Sequence, residues 1–92
     1  MIIRIMGEGQ YRVPDGLCNE LNRIDNRIVA LVTEGKAKEF RKELMKLISE
    51  IREKGEAIEA EEILESNIIV PPEDLSFEEA KDIFKGCGIF AD

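Results

Sequence analysis

The chain has no histidine and no tryptophan, one tyrosine, three prolines and only two cysteines in 92 residues. Without histidine there is no Ser-His or Cys-His nucleophilic pair, no imidazole metal ligand and no side chain whose ordinary pKa lies near neutrality. Cys18 and Cys87 stand far apart, so they form neither a disulfide framework nor a zinc site, which needs four soft ligands at short spacings. Two small, partly buried residues are expected instead. Long apolar runs are missing too: Ile68-Ile69-Val70 is cut off by Pro71-Pro72, well short of the roughly 20 residues that cross a bilayer. Met1–Gly9 lacks the apolar stretch of a secretory signal. A cytoplasmic protein with no direct membrane insertion is expected.

Positive charge is scarce in the second half. Residues 1–54 carry eleven Lys/Arg and nine Asp/Glu, whereas 55–92 carry two and eleven, for an overall formal charge of −7. Between Gly55 and Ala80 there is no base but nine carboxylates. Such a surface repels phosphate, so no nucleic-acid contact is expected there; a basic partner or plain solvation suits it better. What is abundant is apolar and charged residues together, 43% and 36% of the chain, a composition that builds one compact core.

The elements follow from periodicity. Ile2–Met6 and Gln10–Val13 read as strands, and Gly7-Glu8-Gly9 between them as the turn of a β-hairpin. A phosphate-binding loop would need a third glycine and a helix opening directly from it, and a strand follows here. Pro14-Asp15-Gly16 then starts a helix, with Asp15 as the expected N-cap. Leu17, Leu21, Ile24, Ile28, Leu31 and Val32 recur at helical steps until Gly35. Ala37, Phe40, Leu44, Leu47, Ile48 and Ile51 make a second apolar stripe that stops at Gly55, so the two helices form an antiparallel hairpin.

The second helix opens with Lys36, Lys38, Arg41 and Lys42, a poor match to the positive end of its dipole. Glutamates interleave at pairing distance, as in Glu39–Lys42, Glu43–Lys46 and Glu50–Lys54, which reads as a surface of paired charges. An acidic connector leads to a third strand at Asn67–Val70, expected to pair antiparallel with the hairpin. Ser76 and Glu79 form a capping box that opens a last helix, with Phe77, Ala80, Ile83 and Phe84 turned inward. The Gly88-Ile89-Phe90 tail is expected to fold back over the core. The whole is therefore an α+β domain, residues 1–92, in which a three-stranded antiparallel sheet packs against a helical hairpin and a short C-terminal helix.

Chemistry has few places to reside. Glu61, Glu62 and Glu65 crowd together, but the stretch is expected to be exposed and uniformly polar in surroundings, and it lacks the pattern of a calcium loop. Cys18, in the first turn of a helix, is the one suggestive thiol. No catalytic residue, no metal site and no cofactor is expected.

Met1–Val13, the helical hairpin broken at Gly35, Ile68–Asp74 with its Pro71-Pro72 pair, and the ending Lys85–Phe90 together resemble the PspA-associated domain family across almost the whole chain. That family tends to have Pro-Ser-Asp before the third strand and an acidic cap on the second helix, where this chain has Glu65-Ser66-Asn67 and Lys36. The resemblance implies a non-enzymatic accessory or adaptor domain that binds or regulates a PspA-type coiled-coil protein of the membrane-stress response. Its implied interface is Glu8, Gln10 and Tyr11 at the hairpin with Pro71, Pro72 and Asp74 after the third strand. Each also has a local reading, since glycines and prolines shape turns and Tyr11 packs. Two other functions fit the residues: a small regulatory module for a metabolite or divalent cation, and a self-assembling structural domain, for instance a homodimer.

Overall fold

The structure, a computed structural model, describes residues 1–59 and 64–84. Strand β1 (Ile2–Ile5) and β2 (Gly9–Arg12) form the expected hairpin, with Ile3 opposite Tyr11 and Arg4 opposite Gln10. Gly7 and Gly9 sit at φ 81° and 144°, backbone that a side chain would strain. A 3-10 turn, Asp15–Leu17, then leads into α1 (Cys18–Glu34) and α2 (Ala37–Lys54). Strand β3 (Glu56–Ala57), β4 (Ile68–Val70) and α3 (Phe77–Ile83) complete the described elements.

The α+β class and helical hairpin hold, but the sheet differs from the expectation. It has four strands in the order β3-β2-β1-β4 and is mixed: β4 runs parallel to β1, pairing Arg4 with Ile69. The reason is topological. The chain leaves β3 on one edge of the sheet and must cross to the other edge before β4, and a crossing that also returns along the strand axis delivers a parallel partner. β3 escaped notice because a two-residue strand with an exposed glutamate has neither the length nor the β-branched composition of one.

Asp15 is not the cap of α1. Its carboxylate accepts from the Met1 amino group at 3.3 Å, and the helix starts at Cys18 without a side-chain cap. At the other end Gly35 adopts φ 75°, ψ 24°, and Lys36 N–H reaches Leu31 O at 3.0 Å while Gly35 N–H reaches Val32 O at 3.2 Å. Both bonds belong to the Schellman motif, which satisfies the last carbonyls of the helix. Gly55 ends α2 for a different reason: a Cβ there would lie 2.5 Å from Ile51 O, so only glycine lets the chain pass straight into β3. The Ser76–Glu79 capping box is present, with Glu79 N–H on Ser76 Oγ at 3.1 Å.

Packing follows the stripes. Leu17, Leu21, Ile24, Ile28, Leu31 and Val32 are buried, as are Phe40, Leu44, Leu47, Ile48 and Ile51, against Ile3, Ile5, Val13 and Val70 of the sheet side. Phe40 is the hub, meeting Phe77 and Phe84 edge-on at 5.6 and 6.2 Å between ring centres. Ala37 and Ile83 are exposed, contrary to expectation: Ala37 is the first residue of α2 and Ile83 the last of α3, so each stands at a helix end. Asp25, four residues from Leu21 and three from Ile28, shares their face and is fully buried. Among the anticipated ion pairs Glu50–Lys54 forms at 2.9 Å, whereas Glu43 reaches across the hairpin to Arg27 at 3.1 Å. Cys18 is half-buried; Glu61, Glu62, Cys87 and the Gly88–Phe90 tail lie outside the described residues.

Candidate functional site

Two segments singled out in the sequence, the hairpin turn and the Pro-Pro loop, meet at one end of the sheet, and α2 joins them. Arg41 and Arg52 are about three turns apart on α2 and so share a face. Arg52 grips the Glu8 carboxylate, with Nε 3.0 and 2.9 Å from its two oxygens and Nη2 also on Oε1. Its Nη1 lies 3.6 Å from the Glu73 carboxylate. Arg41 holds the same loop by its backbone, donating to Glu73 O at 2.6 Å and Leu75 O at 2.8 Å. The two arginines thus strap residues 73–75 onto the helix, and Arg52 ties that strap to the hairpin.

Tyr11 completes the cluster by donating its hydroxyl to Glu8 Oε2 at 2.6 Å. Hydrogen bonds from Arg52 and then Tyr11 hold the Glu8 carboxyl down at about 2, below the ordinary 4.5. The reciprocal effect keeps the phenol protonated: bonding to Glu8, then burial, raises its pKa above 10. Arg52 is pushed further toward its charged form by the same carboxylate. A carboxylate ionised at every ordinary pH and a phenol locked as a donor are poor proton carriers near neutrality. The arrangement is chemically a joint: its groups satisfy one another and fix two loops in space.

Around the joint is a shallow hollow of about 280 Å³ lined by Met6, Gly7, Glu8, Arg52, Pro72, Glu73 and Asp74, among others. Of the six residues expected at an interface, Glu8, Pro72 and Asp74 line this hollow, and Tyr11 is bound to Glu8 beside it. The other two are placed elsewhere. Pro71 is buried, and Gln10, only 8% exposed, lies on the sheet face away from the helices. There it donates to Leu64 O at 2.6 Å and Ser66 Oγ at 2.8 Å, and accepts from Leu64 N at 3.3 Å, pinning the connector. The reading from sequence missed Arg41, Arg52 and Glu73. Their signal was the eleven-residue spacing of two arginines on a helix followed by an acidic turn, which no local motif displays.

Among the described residues no group of three or more cysteine, aspartate or glutamate side chains is arranged to hold a metal ion. None of the helices among them is long and apolar enough to cross a membrane.

These features define a small α+β domain, a mixed sheet backed by a helical hairpin, whose polar contacts position loops. The chain belongs to the PspA-associated family: the family model described as PspA-Associated protein matches residues 1–92, the whole of the chain. No curated protein matches it, and no solved structure does.

Proposed function

We propose that this chain acts as one accessory domain that binds a PspA-type coiled-coil protein and tunes its response to envelope stress, without chemistry of its own. The observation that carries this reading is the family match over all 92 residues. The geometry supports it. Glu8, Pro72 and Asp74 surround a hollow whose walls are fixed by Arg41 and Arg52, so this end of the molecule offers a preformed surface at little ordering cost. Asp74 and Glu73 are exposed on its rim and suit the basic stretches of a helical partner, in keeping with the acidic second half of the chain. The domain would work in the cytoplasm and reach the membrane only through that partner.

The test is a pull-down of a PspA-type protein from the same genome with the full chain, at about 50 mM and about 300 mM salt, the range over which exposed charges are screened. A complex weakened by salt, and weakened further by Asp74→Arg, is expected. Absence of a complex at both ionic strengths would sink the reading.

A further inference from the structure

Among the described residues the sheet carries helices on one face only. β1 lies inside it, and strand alternation sends Ile3 and Ile5 toward the helices but Arg4 away from them, with Met6 following in the turn. The described end of the connector between β3 and β4 lies against this second face. The connector starts at one edge and returns at the other, and Gln10, the cross-strand neighbour of Arg4, holds Leu64 and Ser66 against the sheet. Leu64 and Ser66 thus lie over the β2 side of this face. Met6 is 52% exposed and Ile69, the register partner of Arg4, 55% exposed, the two most exposed large apolar side chains among the described residues. Arg4 is exposed between them, and its guanidinium makes neither an ion pair nor a hydrogen bond with a described residue.

An exposed cation beside two exposed apolar groups asks for a complementary surface. We infer that this patch docks an amphipathic helix of a protein partner, whose apolar stripe covers Met6 and Ile69 and whose aspartate or glutamate pairs with Arg4. Helix against sheet is the standard way such a face is closed, and one carboxylate on the helix supplies the missing charge. Other occupants fit less well. Strand addition at the β4 edge would have only three residues to pair with. A second copy of this chain, meeting the patch through a twofold axis with its own, would set Arg4 against Arg4. An anionic membrane would meet a chain of net charge −7, with Glu8 beside Met6. The patch adjoins the hollow by the hairpin turn through Met6 but lies on a different face, so the inference does not depend on the partner being PspA-like.

The test uses the isotope-labelled full chain and two synthetic amphipathic peptides with the same leucine stripe, flanked by glutamates in one and lysines in the other. The Glu-flanked peptide is expected to shift the amide resonances of Arg4, Met6 and Ile69 while those of α1 and α2 stay put. Arg4→Glu should weaken that peptide about tenfold and favour the Lys-flanked one, and Ile69→Ser should weaken it about threefold, the range of a moderate interface contact. Both positions are exposed, so the variants fold, as circular dichroism will show. Shifts centred elsewhere, indifference to Arg4→Glu, concentration-dependent dimers giving the same shifts without peptide, or binding only to phosphatidylglycerol vesicles would overturn the inference. Failure of the PspA pull-down with this pattern intact would remove the proposed function and leave the docking patch standing.

Discussion

Removing the Glu8 charge tests whether the joint at the hairpin turn stabilises the fold. In the folded chain its carboxyl titrates at about 2 against an ordinary 4.5, which for a sheltered group corresponds to roughly 3 kcal/mol. The shelter is incomplete: the Glu8 side chain is 28% exposed and that of Arg52 39% exposed, and solvent screens such pairs strongly. A contribution of about 1 kcal/mol is therefore expected, equivalent to a fall of roughly 4–8 °C in Tm for a domain of this size. Because the folded pKa is the lower one, this stability is fully present above about pH 5 and is lost as pH falls through 4.5 toward 2. Thermal melts of wild type, Glu8→Gln, Arg52→Gln and the double variant, at pH 7 and pH 2.5, give the coupling directly. At pH 7 the coupling should be about 1 kcal/mol, and at pH 2.5 it should shrink by half or more. A coupling near zero at pH 7, or one unchanged at pH 2.5, would refute the assignment of Glu8 and Arg52 as a stabilising pair.

Three further outcomes follow from the fold. Ser76→Ala removes an N-cap acceptor and its reciprocal bond, and urea denaturation should show a loss of about 1 kcal/mol. Gly35→Ala places a side chain at φ 75° and should lower stability by about 1 kcal/mol, with D-alanine introduced by synthesis restoring it. Phe40→Ala empties the centre of the aromatic cluster, costing about 3–5 kcal/mol, enough to leave much of a small domain unfolded by near-ultraviolet dichroism.

The parts of this fold that were legible in the sequence are those whose causes are local. Two apolar stripes at helical spacing, a glycine at the turn between them and a Ser-x-x-Glu box each specify their own geometry through a few neighbouring residues, and each is found in place. The sheet order was not legible, because nothing near Ile68–Val70 encodes which edge it joins; that is set by the crossing of the connector and by Gln10, 54 residues before Leu64. The site divided in the same way. Glu8, Tyr11, Pro72 and Asp74 are named through the family resemblance, whereas Arg41 and Arg52 acquire meaning only once α2 has been laid beside the loop they hold. Gln10, named with them, is buried and holds the backbone of the connector at Leu64.

The parallel pairing of β1 with β4 also bears on how the molecule is made. As the chain emerges from the ribosome β2 covers one side of Ile2–Ile5 at once, but the strand that covers the other arrives about 65 residues later. At roughly 5–20 residues per second that is an interval of about 3–13 s during which an apolar strand edge stands open. Through that interval Arg4, in the middle of the strand, is the one charge that discourages neighbouring nascent chains from zipping onto it.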